Sequence, residues 1–178
     1  MHRLNPIPFL SLITPHSSLI LITGIAGVGK TTVGRLLAAE LGWPYFEADD
    51  FHPAANIAKM ARGQPLDDAD RAPWLAAIRA AMEESRAAGR SAVFTCAAQK
   101  EQYRRILLDG LPGVLLVHLS GQREVLLERL QQRTGHFMKA GMLDSQLAIL
   151  EPPAGALTLD ASRPPAELVA AIRRHAGV

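Results

Sequence analysis

The sequence predicts an α/β domain built on a mainly parallel sheet with helices on both faces. Three observations carry that reading. Short apolar runs alternate with longer stretches of helical period, the pattern of successive βα units. A glycine-rich turn joins the first apolar run to the first helical stretch. The 178 residues, 48% apolar and 20% charged, match the size and composition of one globular domain with one sizeable core.

Taken in order, the first strand is LILIT, Leu19 to Thr23, closed by glycines. A helix follows from about Lys30 to Leu41, with Val33, Leu36, Leu37 and Leu41 on one face, and Gly42 stops it. A second strand is expected over Pro44 to Ala48, then helical pieces over Ala54 to Ala61 and Asp70 to Ala88, with Asp70 as N-cap of the longer one. Pro73 then falls in the first turn, where proline is favoured, and Trp74 reads as a core anchor. SAVFTC (Ser91 to Cys96) is the third strand, and a helix follows over Lys100 to Leu108. VLLVHL (Val114 to Leu119) is the fourth, with a helix over Arg123 to Gln132. A charged, Gly-containing segment over about 133–143 reads as a mobile lid. A helix to about Leu150, a fifth strand over Ala156 to Leu159 and a helix from about Pro165 complete the chain. Residues 1–17 form an expected N-terminal extension and 18–178 the domain.

Composition excludes several classes. One cysteine, Cys96, allows no internal disulfide and fits a reducing, cytoplasmic compartment; inside its strand it reads as buried rather than nucleophilic. His118 likewise reads as core. Net charge is +2 and pI about 9.0, but the basic residues are scattered among acids, which argues against nucleic acid and for a few cations aimed at phosphates. Pro6, Pro8 and Pro15 interrupt the apolar N-terminus, so no secretory signal is expected, and no run is long enough to cross a bilayer.

The chemistry begins at GIAGVGKT. Gly24, Gly29, Lys30 and Thr31 fit G-x-x-x-x-G-K-T/S, between a hydrophobic strand and an amphipathic helix, the context that confirms a P-loop NTPase fold. Backbone N–H groups of Ala26, Gly27, Val28, Gly29, Lys30, Thr31 and Thr32 would cradle the phosphates of ATP, with Lys30 reaching the β- and γ-phosphates and the Thr31 hydroxyl serving Mg²⁺. No Asn-Lys-x-Asp segment occurs, which argues against a guanine-specific switch. The fourth strand ends in HLSG without an Asp, so the cation leans on Thr31, water and an acid at the end of the second strand. There stands EADDFHP, Glu47 to Pro53. Asp49 either orients an acceptor hydroxyl or caps the next segment, a role for which Asp50 is the first choice. Arg129 and Arg133, four apart on one helix face, either reach over the nucleotide or pair on the surface with Glu128.

The segments GIAGVGKTT, ADDFHPAANIAKMARGQPLDDADRAPWL, TCAAQKEQYR and RTGHFMKAGMLDSQLAILEPP closely resemble the gluconate kinases of the P-loop family, relatives of shikimate and adenylate kinases. The likeness runs from about Leu19 to Ala170. It implies a five-stranded parallel sheet, ATP as donor, Mg²⁺, phosphorylation of the gluconate 6-hydroxyl and a homodimer, with a substrate-binding insertion over about 50–75. By the same resemblance Asp49 is the catalytic carboxylate of the strand-two motif; His52, Lys59 and Arg71 line the sugar-acid pocket; Arg129 and Arg133 are lid arginines, one near adenine and one on phosphate; and His136 lies in the lid. Arg71 suits a carboxylate because a guanidinium binds it bidentately. The chain departs from the family in having Glu47 for Asp, Ala48 for Gly, and Ala97, Ala98, Gln99 where Ser-Ala-Leu is typical. The loss of that hydroxyl keeps a related sugar acid or polyol as an alternative acceptor. A catalytically silent nucleotide-binding regulator is the alternative of a different class.

Overall fold

Every residue of β1 (Leu19–Thr23) is buried, as a central parallel strand must be when helices cover both faces of its sheet. The computed structural model describes residues 18–131 and 140–178. Around β1 stand β2 (Tyr45–Glu47), β3 (Ala92–Thr95), β4 (Val114–Ser120) and β5 (Leu157–Asp160), all parallel, in the order β2-β3-β1-β4-β5. The helices among the described residues are α1 (Lys30–Leu41), α2 (Ala54–Ala61), α3 (Asp68–Ala87), α4 (Glu101–Leu108), α5 (Arg123–Gln131), α6 (Ala140–Ile149) and α7 (Pro165–Ala176). Consecutive strands leave β1 to opposite sides, so the crevice beyond its carboxyl end is the usual ligand site of an open α/β sheet.

Alternation along β1 divides the core. Ile20 and Ile22 pack with Val33 and Leu37 of α1 and Leu168, Val169 and Ile172 of α7; Leu19 and Leu21 pack with Trp74, Leu75, Ile78 and Met82 of α3 and Leu107 of α4. Each such side chain contributes roughly 1.5–3 kcal/mol by leaving water. Cys96 and His118 are buried as expected, whereas Leu36 and Leu41 pack against the core only partly buried. Among the described residues no helix is long and apolar enough to cross a membrane.

Two local expectations are corrected. α3 starts at Asp68, capped by Asp67 and not by Asp70; Asp70 is the N3 member of a reciprocal capping box, accepting from Asp67 N at 2.9 Å while its own N–H donates to Asp67 Oδ1 at 2.8 Å. Pro73 therefore lies in the second turn, inside the helix rather than at its start. Neither Asp49 nor Asp50 is a cap: both lie in a 3₁₀ turn over Ala48–Phe51, and neither that turn nor α2, which follows Pro53, has a side-chain cap bond. Arg133, His136 and the extension 1–17 lie outside the described residues, as does most of the expected lid over 133–143.

One contact sets how close α1 sits to the sheet. A Cβ on Gly34 would lie 2.6 Å from Thr95 Cγ2 and 2.8 Å from Tyr45 Cε2, closer than van der Waals contact allows. Gly34→Ala should therefore destabilise the fold by about 1–3 kcal/mol, despite alanine's helix preference of about 1 kcal/mol over glycine. Urea unfolding measures it; an unchanged or raised midpoint would mean that α1 moves off the sheet freely.

Candidate active site

The turn between β1 and α1 is shaped by glycines that nothing else replaces. Gly24 has φ 142, and a Cβ there would meet Leu119 O at 2.6 Å; Gly27 has φ 81, with Leu130 Cγ at 2.9 Å from the corresponding position. Gly29, in the left-handed region, precedes an α1 terminus that has neither a side-chain cap nor an acid in its first turn. The N–H groups of that first turn and the helix dipole suit an anion. Lys30 Nζ donates to Ile25 O at 3.1 Å, folded along the loop it serves. On the far edge of the same peptide, Ala26 N–H donates to Gln146 Oε1 of α6 at 2.8 Å.

Beside the loop, the Thr31 hydroxyl donates to Glu47 Oε2 at 2.8 Å. Tyr45 OH donates to the same oxygen at 2.5 Å and Thr95 Oγ1 to Glu47 Oε1 at 2.7 Å, with 2.9 Å between those two hydroxyls. Burial, then the bond to Glu47, pushes the Tyr45 phenol up to about 12, so it stays protonated and donates across the working pH range. Thr31 and Glu47 together are a hard oxygen donor pair of the kind a divalent cation takes with water and phosphate.

Asp49 is exposed on the 3₁₀ turn that follows β2. The turn is pinned by Trp74, whose Nε1 donates to Ala48 O at 2.7 Å. His52 stacks on the Trp74 indole, centroids 4.6 Å apart and 9° from parallel, with Asn56 Nδ2 3.4 Å from its Nδ1. Burial lowers the His52 pKa, Asp49 opposes that shift and Arg71 adds to it, so all three share one electrostatic neighbourhood. Arg71 lies over the Tyr103 ring, 5.6 Å from its centroid, and lines a cavity of about 550 Å³ with Leu66, Asp68, Lys100, Tyr103 and Ile149. None of the ion pairs among the described residues involves Arg71, because its acidic neighbours are engaged elsewhere: Asp70 by Lys59, and Asp68 by Lys100, Gln102 and Tyr103. Lys59 is held between Asp70 and Asp67, the latter at 3.8 Å, and joins α2 to α3. Arg129 donates to Ala161 O at 2.8 Å and lines a second cavity, of about 270 Å³, between α5 and the end of β5. Sequence reading missed Tyr45, Thr95 and Gln146; of these Tyr45 alone carried a legible signal, since residues 45 and 47 of a strand share a face.

A family model described as an AAA domain matches residues 20–147. The chain is 50% identical over 135 residues to a gluconokinase of Gluconobacter oxydans, covering 75% of each chain. The chain belongs to the gluconokinase family. Among solved structures it resembles a gluconokinase from Sinorhizobium meliloti, with a TM-score of 0.79 and 40% identity over 91% of this chain and 95% of that one. A shikimate kinase of Aquifex aeolicus, 17% identical with a TM-score of 0.58 over 88% of this chain and 94% of that one, shares the fold. The five parallel strands, glycine-rich loop and flanking helices are those of a P-loop kinase, and the chain uses a nucleotide.

Two histidines, His118 buried and His52 half-buried, give the domain a pH dependence. Burial holds His52 and His118 below the ordinary 6.5, so the unfolded chain takes up protons first as pH falls. Their contribution is full above 6.5 and declines as pH drops through that value toward the folded pKa. Urea unfolding should show lower stability at pH 5.5 than at 7.5, and His118→Gln should flatten part of that slope. A slope identical in the variant would remove His118 as a source.

Proposed function

We propose that the chain transfers the γ-phosphoryl group of ATP, with Mg²⁺, to the 6-hydroxyl of D-gluconate. The observation that carries this reading is that the phosphate loop and Asp49 follow the carboxyl ends of parallel strands of one sheet, while Asp49 shares the neighbourhood of His52 with an Arg71 free of carboxylate partners among the described residues. Kinship with the Gluconobacter gluconokinase supports gluconate as the acceptor.

Phosphoryl transfer runs through a loose transition state, so the chain's task is placement and charge. The loop's N–H groups and Lys30 hold the phosphates; Lys30 leaves Ile25 O for the β- and γ-oxygens. Asp49 takes the 6-hydroxyl as hydrogen-bond donor, aligns it and accepts its proton late. Arg71 holds the carboxylate at the far end of the sugar acid, with His52 on the wall between, fixed by Trp74. Lys59 acts in this scheme by fixing α2 against α3 through Asp70. Among the described residues no group of three or more His, Cys, Asp and Glu forms a metal cage, which suits a cation held by Thr31, water near Glu47 and the nucleotide. When bound, Mg²⁺ neutralises charge on the β- and γ-phosphate oxygens. Arg129 and Arg133, one near the adenine and one on phosphate, and His136 in the lid complete the scheme by family resemblance. In this proposal the enzyme works in the cytoplasm as a homodimer, with residues 133–143 as lid, 50–75 as substrate insertion and 1–17 as extension.

Gluconate-dependent ADP release, run beside other sugar acids and the uncharged polyol, tests the reading; turnover with the polyol but not with gluconate would reassign the acceptor. Asp49→Asn should lower kcat by about 10²–10⁴-fold with ADP binding intact. Survival of turnover within a few-fold would leave that carboxylate without a catalytic role. Arg71→Ala should raise the KM for gluconate by about 10–100-fold, the worth of a charge-assisted bidentate pair, and leave the KM for ATP unchanged. Loss of thermal stability with an unaltered gluconate KM would make Arg71 a structural residue.

A further inference from the structure

The carboxylate of Glu47 is the most heavily hydrogen-bonded side chain of the phosphate site, and its partners come from three elements. Tyr45 and Glu47 lie two residues apart on β2 and so face the same way, toward α1. The β2–β3 register sets Thr95 beside Glu47, and Thr31 approaches from the first turn of α1. Oε2 accepts from Thr31 at 2.8 Å and from Tyr45 at 2.5 Å; Oε1 accepts from Thr95 at 2.7 Å. A carboxylate offers about four acceptor positions. Three are taken by hydroxyls, which leaves about one for a donor from outside.

A glutamate at a sheet edge has freely rotating side-chain bonds, and holding it in one arrangement costs entropy that its contacts must offset. Thr31 alone does not fix it, because the Thr31 oxygen must also turn its lone pairs outward to serve a cation. Tyr45 and Thr95 supply the fixed points instead: both stand on strands, their hydroxyl oxygens lie 2.9 Å apart while each donates to Glu47, and both pack beneath Gly34. We infer that Tyr45 is a positioning residue for the divalent cation, its hydroxyl together with that of Thr95 locking Glu47 in the one rotamer that serves both Thr31 and a cation-bound water. The inference rests on the Mg²⁺-dependent reading above.

Tyr45→Phe is a clean probe. It keeps the ring that contacts Gly34 and that lies 5.6 Å below the Arg35 guanidinium, and deletes only the hydroxyl. The measurement is ADP binding by calorimetry with Mg²⁺ and with Mg²⁺ removed by chelator, beside the Mg²⁺ concentration for half-maximal turnover. In the variant the Kd of ADP with Mg²⁺ and the half-maximal Mg²⁺ concentration should each rise about three- to tenfold, less than the roughly 10–100-fold lost when a direct partner of a metal ligand is removed. The Mg²⁺-free Kd should stay at the wild-type value. Thr95→Val should act in the same direction, and in a Glu47→Gln background Tyr45→Phe should add nothing, since it acts only through that carboxylate. Equal weakening of ADP binding with and without Mg²⁺ would make Tyr45 a packing residue and overturn the inference, as would an unaltered Mg²⁺ dependence or a full effect in the Glu47→Gln background. Wild-type binding and turnover indifferent to Mg²⁺ would instead remove the cation from the proposed function, and this inference with it.

Discussion

The close approach of α1 to β2 and β3 is the constraint on which the site depends. It is permitted by the missing side chain of Gly34, where even a methyl group would overlap Thr95 and Tyr45. Thr31 lies three residues earlier on the same helical face, so the depth at which Gly34 seats also sets the reach of Thr31 to Glu47. The phosphate loop is the short link between β1 and this helix. Its glycines curl the chain tightly enough that Leu119 O and Leu130 close over it. A helix standing one methyl group further out would still offer its N-terminus to an anion, but its hydroxyl would lose the carboxylate.

The acceptor side is built on an inversion. α2 turns its polar residues inward: Asn56, buried, donates to Asp70 O at 2.7 Å, and Lys59 pairs with Asp70, while Ile57 and Met60 are exposed. Those inward contacts occupy the acids at the start of α3. Arg71, one residue beyond Asp70, is thereby left with an aromatic ring beneath it and no carboxylate partner among the described residues. A guanidinium half-buried over a ring and unneutralised at close range is attractive to an anionic substrate in a way that an ion-paired arginine is not. The acids of the DDAD segment are therefore the reason Arg71 remains available.

Much of this was legible in the chain itself. β1 and α1 match their expected bounds at both ends, because an apolar run between glycines and a single apolar stripe are local signals. α3 begins two residues earlier than expected because Asp67, Asp68 and Asp70 are all competent caps, and local preference does not choose among them. The choice is tertiary: Lys59 holds Asp70 from α2, and Lys100 and Tyr103 hold Asp68 from α4. The phosphate loop, Asp49 and Arg71 were found from motif and resemblance, yet Tyr45, Thr95 and Gln146 were not. Thr95 and Gln146 take their roles from the β2–β3 register and from the docking of α6, contacts between residues far apart in sequence, whereas Tyr45 shares a strand face with Glu47.

α6 binds both halves of the site into one unit. Gln146 accepts from Ala26 in the phosphate loop, and just beyond the helix Glu151 N–H donates to Gln99 O at 2.9 Å in the loop after β3. That second loop is itself rigid. Ala98 has φ 27, a conformation a residue with a side chain adopts only when its surroundings impose it. Arg104, almost wholly buried, imposes it by donating to Ala98 O at 2.9 Å and Gln99 O at 3.0 Å while pairing with Glu101. At the other side, Arg123 of α5 grips Asp144 of α6 through two bonds of 2.6 and 2.9 Å. The phosphate loop, the loop after β3 and α5 are thus all tied to this ten-residue helix or to the residues that directly follow it. A shift of α6 against the sheet would therefore act on the phosphate loop and the loop after β3 together, because its contacts to the two lie only five residues apart, at Gln146 and Glu151.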